Sequence, residues 1–171
     1  TYAFEAAPLV IDGVMYVSGF DGYVWALVAA TGKLLWQYRH AVPLDVPLCC
    51  GNVNRGVAVA NGMVYYASPN AVLVALDATN GQPRWQKTFA DVRAGESATM
   101  APLAIKNLVI VGSSGAEYGV PGHVDAFDAR SGRHVWRRYT VPKPGEPGSE
   151  TWPAGTDAWA KGGGTTWITG T

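Results

Sequence analysis

The sequence predicts an all-β fold: a β-propeller of four-stranded blades with tryptophan docking motifs, of which this chain holds three to three and a half. Three observations predict it. A segment recurs about every 50 residues, each copy contains a tight-turn glycine, and a tryptophan follows each glycine by four residues. A four-stranded sheet of about 50 residues has the size of a propeller blade.

The repeated hairpin is the clearest element. Its copies are GYVWALVAATGKLLWQY (22–38), AVLVALDATNGQPRWQK (71–87) and GHVDAFDARSGRHVWRR (122–138). The positions that align are the glycines Gly32, Gly81 and Gly132, the tryptophans Trp36, Trp85 and Trp136, and the alanines Ala26, Ala75 and Ala126. Each copy predicts a strand, a turn with glycine at positive φ, and a second strand. Asp77 and Asp128 are expected to accept hydrogen bonds from backbone N–H groups in their turns, where the first copy has Val28.

A second hairpin precedes each of these. The segments are PLVIDGVMYVSG (8–19), VAVANGMVYYAS (57–68) and PLAIKNLVIVGSS (102–114), with turns at Asp12-Gly13, Asn61-Gly62 and Lys106-Asn107. Residues 1–171 are therefore predicted to form one partial propeller. Its blade repeats lie near 7–38, 56–87 and 101–138, a long loop spans 140–161, and a further blade starts at 162–171.

The repeated tryptophan predicts a wedge between neighbouring blades, because a large ring buries much apolar area. Three unrelated hairpins of a β-sandwich are the alternative, but one register across three copies favours a propeller. Three repeats do not close a propeller, which typically has about 4–8 blades. We therefore expect this chain to be a piece of a longer protein.

Composition disfavours several functions. Lysine plus arginine equals aspartate plus glutamate at 13 each, so the net charge is zero. Nothing indicates capture of nucleic acid or of an anionic membrane. No apolar run reaches the roughly 18 residues of a membrane-spanning helix.

The two cysteines, Cys49 and Cys50, are adjacent. Adjacent Cα atoms lie about 3.8 Å apart, so a disulfide between them would be a strained ring with a flat side, suited to the wall of a planar ligand site. Two reduced cysteines acting as small apolar residues are the other interpretation. Zinc is disfavoured, because there is no CxxC and only His40 lies nearby.

Several polar segments depart from the repeat. They are Glu5, Arg55, ESATMAP (96–102), GSSGAEYG (112–119) and KGGGTTW (161–167). The first strand of each propeller blade lines the central channel, so we expect these segments to converge on one cavity.

These segments resemble a known family, the quinoprotein alcohol dehydrogenases that use pyrroloquinoline quinone (PQQ). The resemblance rests on FEAAPLV (4–10), CCGNVNRGVAV (49–59), TMAPL (99–103), GSSGAEYG and WAKGGGTTW (159–167). It implies an eight-bladed propeller in the periplasm, and oxidation of a small primary alcohol to an aldehyde by hydride transfer to metal-activated PQQ. It also implies a cytochrome c or a quinone as electron acceptor.

The resemblance assigns roles residue by residue. It implies that Cys49 and Cys50 form a disulfide on one face of PQQ and that Trp167 covers the other face. The remaining cofactor-binding residues that it implies are Glu5, Arg55, Thr99, Ser114, Gly115 and Ala116. Glu117 matches a ligand of Ca²⁺ or a lanthanide. The family's catalytic aspartate and an asparagine metal ligand lie downstream, so no catalytic residue is assigned here and the chain alone is expected to be inactive.

Two other functions remain open. A non-catalytic envelope propeller that binds proteins explains the tryptophan repeats, but not the cysteine pair, Arg55 or the GAE segment. A thiol redox sensor requires a reactive thiolate in an exposed, electropositive setting, and it leaves Glu117 and Trp167 without a role.

Overall fold

The structure is a computed structural model that describes residues 4–170. Both ends of the predicted propeller segment, residues 1–3 and 171, lie outside the described residues. Within residues 4–170, twelve strands form three four-stranded antiparallel sheets, and in each sheet the strands pair in sequence order. The predicted fold class is confirmed. None of the helices in this part of the chain is long and apolar enough to cross a membrane.

Each sheet is one blade. The first comprises β1 (Leu9–Ile11), β2 (Val14–Ser18), β3 (Tyr23–Val28) and β4 (Leu34–Arg39). The second comprises β5 (Ala58–Ala60), β6 (Met63–Ser68), β7 (Val72–Asp77) and β8 (Pro83–Thr88). The third comprises β9 (Leu103–Ile105), β10 (Leu108–Gly112), β11 (His123–Asp128) and β12 (His134–Tyr139). Short 3₁₀ turns lie at Phe20–Gly22, Val92–Ala94, Ala116–Tyr118, Ser149–Thr151 and Ala158–Ala160.

The turns follow the expected chemistry. Gly32, Gly81 and Gly132 have φ of 72°, 71° and 67°, the left-handed region that glycine adopts most easily. Asp77 Oδ1 accepts a hydrogen bond from the Thr79 N–H at 2.8 Å, and Asp128 Oδ1 accepts one from the Ser131 N–H at 2.8 Å. A register shift also follows the aligned alanine of each blade: Ala26, Ala75 and Ala126.

The middle blade is buried on both faces, because it packs between the first and third blades. Successive side chains of each of its strands point to opposite sides of the sheet and so enter different cores. In β6, Val64 and Tyr66 pack into a core shared with the first blade. Tyr65 and Ala67 pack into a second core, shared with the third blade. The core therefore lies between blades, as in a propeller.

Tryptophans connect the blades, as the repeat predicts. The Trp36 Nε1–H donates a hydrogen bond to the Ala78 carbonyl at 2.9 Å in the next blade. The Trp85 Nε1–H donates to the Ala129 carbonyl at 3.2 Å in the third blade. Each indole thus combines an apolar contact with a bond to a turn carbonyl of its neighbour.

After the third blade the chain turns back over it. The Gly122 N–H donates to the Gly163 carbonyl at 2.8 Å, and the Thr166 N–H donates to the Ser113 carbonyl at 2.9 Å. Only glycine fits at position 112, since a Cβ there would come within 2.2 Å of the Thr166 carbonyl oxygen. Within 162–170 the chain makes only an isolated bridge, Gly163 with Pro121, so the start of a further blade at 162–171 stays a prediction.

Candidate functional site

Three separate segments of the chain meet around one cavity of about 330 Å³. Its lining residues are Cys49, Cys50, Arg55, Ser114, Gly115, Glu117, Thr165 and Trp167. Sequence reasoning singled out all of these except Thr165, which stands inside the quoted KGGGTTW segment. The volume falls within the range of about 300–1,000 Å³ that small-molecule sites occupy.

Arg55 is the cationic side chain of the cavity. Its Nη2 lies 2.8 Å from Glu5 Oε2, and its Nη1–H donates to the Thr99 carbonyl at 3.3 Å. The guanidinium carbon lies 4.9 Å from the centroid of the Trp167 ring, a cation–π distance. Glu5 and Thr99 were both predicted to bind the cofactor. The structure places both in contact with Arg55. Neither is among the residues that line the cavity.

Asn54 holds the backbone next to Arg55, and sequence reasoning missed it. Only 3% of this residue is exposed. Its Oδ1 accepts hydrogen bonds from the Ser18 hydroxyl and from the Gly56 N–H, the latter at 2.9 Å. Its Nδ2–H donates to the Ala67 carbonyl at 2.7 Å. The Asn54 side chain thus connects the first two blades next to Arg55. The only sequence signal for this role was the position of Asn54 in the motif VNRG.

The two cysteines form one wall. Their sulfur atoms lie 2.9 Å apart, and the structure has both as free thiols. Cys50 is exposed as a residue, but partial desolvation of its thiol raises the pKa to about 12, and the neighbouring Cys49 and the negative charge of Glu117 act in the same direction, while Arg55 opposes them. The thiol is therefore uncharged at neutral pH. The disulfide that the resemblance implies stays a prediction.

A pair of hydrogen-bonded serines joins the segments next to Cys49. Ser97 and Ser114 exchange two backbone hydrogen bonds, at 3.0 and 2.8 Å, and their hydroxyl oxygens lie 2.9 Å apart. The Ser97 hydroxyl also lies 3.4 Å from the Cys49 sulfur. Gly115 follows at φ 112°, where a Cβ would come within 2.0 Å of the Gly95 carbonyl oxygen, so this position tolerates only glycine.

Glu117 is the free carboxylate of the site. It lies in the 3₁₀ turn Ala116–Tyr118 and is exposed. Ala116, another predicted cofactor-binding residue, stands between two lining residues without lining the cavity itself. Residues 4–170 contain no cluster of three or more His, Cys, Asp or Glu that could hold a metal ion, and within them Glu117 is the one carboxylate that lines the cavity.

Trp167 is the aromatic residue that the third segment contributes to the cavity wall. Its main-chain carbonyl accepts a hydrogen bond from the Thr99 hydroxyl at 3.2 Å. Just beyond it, the Thr169 hydroxyl accepts one from the Ala101 N–H at 3.0 Å. The residue is 43% exposed, and the Arg55 guanidinium lies over its ring, so the indole is only partly covered by this part of the chain.

The whole chain, residues 1–171, matches the family described as "PQQ: Glucose/ethanol/alcohol dehydrogenase, beta-propeller domain". The chain belongs to this family. The resemblance to PQQ-dependent alcohol dehydrogenases is therefore confirmed.

Individual members of the PQQ dehydrogenase family are similar along nearly the whole chain. Quinoprotein alcohol dehydrogenase PedH from Pseudomonas putida is 37% identical, over 97% of this chain and 30% of that protein. Lanthanide-dependent methanol dehydrogenase from Methylacidiphilum fumariolicum is 38% identical, over 95% of this chain and 30% of that protein. A europium-containing methanol dehydrogenase of known structure superimposes with a TM-score of 0.87 at 36% identity, over 97% of this chain and 32% of that one. This chain thus spans about a third of the length of these relatives.

Proposed function

We propose that this chain provides much of the PQQ site of an enzyme that oxidises small primary alcohols to aldehydes. One observation carries the proposal: a single cavity brings together a cysteine pair, a guanidinium, an exposed carboxylate and a partly exposed indole. We further propose that the enzyme works in the periplasm and passes electrons to a cytochrome c or a quinone.

The lining residues suit a flat, anionic, oxygen-rich ligand. Arg55 has five N–H donors, of which Glu5 and the Thr99 carbonyl engage only part, and a guanidinium matches the geometry of a carboxylate. Trp167 offers a π face, and the adjacent sulfur atoms of Cys49 and Cys50 offer a compact apolar wall. PQQ, once bound, supplies the two-electron acceptor for alcohol oxidation. The residues of this chain bind and orient it and limit its exposure to water.

Glu117 is the residue of this chain that would ligate the metal. Ca²⁺ and the lanthanides are hard cations that prefer oxygen ligands, and the carboxylate of Glu117 lines the same cavity as Arg55. The names of two relatives specify a lanthanide and europium, which supports a lanthanide at this site, and Ca²⁺ is the alternative hard cation with the same preference for oxygen. Further ligands would come from outside residues 4–170.

The proposed function includes a disulfide between Cys49 and Cys50. The sulfur atoms would have to close from 2.9 Å to about 2.05 Å, a small movement of two neighbouring side chains. The periplasm is an oxidising compartment in which such a bond persists. A thiol sensor fits less well, because reactive sensor thiols have lowered pKa values, whereas burial raises the pKa of Cys50 to about 12.

The test uses the complete gene product that contains these residues. Purified with PQQ and Ca²⁺, it should show quinone absorption and reduce a dye when a primary alcohol is added. The chain of residues 1–171 should not turn over alcohol, since the expected catalytic aspartate lies downstream. Failure of the complete protein to take up PQQ, with Ca²⁺ or with a lanthanide, would refute the proposal and favour a non-catalytic protein-binding propeller.

A further inference from the structure

A buried group of charged side chains lies behind the cavity wall, in the third blade. His123 and Asp125 are fully buried, and Nδ1 of the histidine lies 2.6 Å from the aspartate Oδ2. On the other side of the ring, Nε2 lies 3.1 Å from Glu96 Oε1. The imidazole is therefore held between two carboxylates.

The backbone of His123 contacts the cavity-lining segments. Its N–H donates to the Ser113 hydroxyl at 2.9 Å, and its carbonyl accepts a hydrogen bond from the Thr166 hydroxyl at 2.8 Å. Ser113 precedes the lining residue Ser114, and Thr166 lies between the lining residues Thr165 and Trp167.

The side chain of His123 reaches a further stretch, residues 96–97. Glu96, its carboxylate partner, precedes Ser97, which bonds to Ser114 and lies 3.4 Å from the Cys49 sulfur. His123 thus links three stretches of chain that build or support the wall: 96–97, 113–114 and 165–167.

We propose that His123, clamped between Glu96 and Asp125, is a positioning residue that holds these three stretches in register for the cofactor. It does not line the cavity and does not touch a ligand there. The inference rests on the proposed PQQ site and assigns that site a supporting network within this chain.

The charges around the network predict a pH dependence. Besides the two carboxylates, the groups that face it are Arg137, whose Nε lies 3.0 Å from Asp125 Oδ1, and His134, whose Nε2 lies 2.6 Å from the same oxygen. The ring of Tyr139 packs edge-on against His123, with ring centroids 5.9 Å apart. With His134 neutral, two carboxylates, one guanidinium and a protonated His123 balance, whereas a neutral His123 leaves one negative charge in excess.

The pKa directions agree with that balance. Burial by itself would lower the pKa of His123 and Arg137 repels its charge, but the two close carboxylates of Asp125 and Glu96 outweigh both and raise it. A histidine with a raised pKa stabilises the folded arrangement fully below its unfolded pKa of about 6.5. That stabilisation is lost as pH rises through the higher folded pKa. The cavity wall is therefore best ordered in mildly acidic solution and loosens toward alkaline pH.

The experiment measures PQQ dissociation constants of the complete gene product with Ca²⁺ between pH 5 and 9, by quinone absorption. The unsubstituted protein should bind more weakly, by about tenfold, once His123 loses its proton, the size of effect that supporting partners have on ligand sites. His123→Gln should bind about tenfold more weakly at low pH and lose the pH dependence. Glu96→Gln removes one carboxylate, so its transition should move to lower pH. His40→Gln, at a histidine that contacts none of the three stretches, is the control and should retain the original profile.

Amide hydrogen exchange without PQQ provides a second readout. Protection of the Ser97, Ser113 and Thr166 amides, corrected for intrinsic exchange rates, should fall as pH rises and should be low in His123→Gln at all pH values. If His123→Gln does not fold, the unsubstituted protein and Glu96→Gln decide the question. A Glu96→Gln profile identical to that of the unsubstituted protein overturns the inference. Absence of PQQ binding at every pH refutes the proposed function instead, and hydrogen exchange then tests the network by itself.

Discussion

The indole of Trp36 lies directly on Gly81 of the next blade. A Cβ at position 81 would come within 2.6 Å of the Trp36 ring carbon Cε3. Trp85 has the same relationship to Gly132, again at 2.6 Å. The two recurring features of the repeat, turn glycine and tryptophan, thus form one contact between neighbouring blades.

Gly81→Ala should therefore destabilise the protein beyond the effect of backbone strain. The new methyl group forces the indole aside, which costs about 1–3 kcal/mol, in addition to about 1 kcal/mol for an alanine at positive φ. Gly62→Ala is the matched control, because Gly62 has φ of 72° against 71° for Gly81 but has open space around its Cβ position. Urea unfolding measures both, and equal losses of free energy would contradict the docking contact.

Asn54→Asp should lower the free energy of unfolding by about 2–4 kcal/mol, because it removes the donor to the Ala67 carbonyl and buries a charge. Asn80→Asp is the control. Asn80 is exposed and only accepts a hydrogen bond, from the Gln82 N–H at 3.0 Å, which an aspartate also accepts. Chemical denaturation should show a change within about 0.5 kcal/mol for the control. A similarly small change in Asn54→Asp would contradict the stabilising role of the Asn54 hydrogen bonds beside Arg55.

The reduced Cys50 thiol should react slowly with alkylating reagents. With its pKa raised to about 12, its thiolate fraction at pH 8 is on the order of 1,000-fold lower than that of an ordinary cysteine with pKa near 8.5. Alkylation followed by mass spectrometry should show the rate increasing up to strongly alkaline pH. Cys49→Ser removes one of the groups that raise the Cys50 pKa, so Cys50 should react faster in that variant. Rapid alkylation at pH 7 would instead support a redox sensor.

Oxidation should link the two cysteines, as the proposed function requires. Protein isolated without reductant should resist alkylation under denaturing conditions and should gain two labels after reduction. Cys49→Ser should gain one label in either case and should retain PQQ less well, since one wall atom is lost. Two labels without prior reduction, in protein that binds PQQ normally, would rule out the disulfide.

Glu117→Gln should weaken the binding of the metal ion on which PQQ uptake depends. Replacing the carboxylate removes a charged oxygen ligand, so the Ca²⁺ concentration needed for full PQQ uptake should rise at least about tenfold. Asp45→Asn is the control, because Asp45 is an exposed carboxylate, with 72% of its side chain accessible, outside the cavity. An unchanged Ca²⁺ requirement in Glu117→Gln would exclude Glu117 as a ligand.

Local rules explain why so much of the fold is readable from sequence. The turn pairs Asp12-Gly13 and Asn61-Gly62 adopt positive φ because their residue types permit it. The alternation Val64, Tyr65, Tyr66 places side chains on both faces of one strand, so a run without polar positions predicts a blade between two others. Because the same segment recurs in three copies, each local signal is seen three times in one register.

The candidate site was less readable. Motifs indicated Arg55, Glu117, Trp167 and the cysteines. Nothing in their spacing indicated that Glu5 would pair with Arg55, across 50 positions of sequence, at 2.8 Å. Asn54 and His123 were missed because a lone polar residue has no periodicity, and its partners lie in other blades.

The sequence by itself determined the strands, the turns, the blade repeat and the family, because each depends on residue type within a short window or on its recurrence. Only the tertiary structure decided which polar groups meet. It placed His123 between Glu96 and Asp125 and brought Trp167 to Arg55. Such contacts depend on how blades pack and how the chain returns over the third blade, and these distances are not encoded in any local pattern.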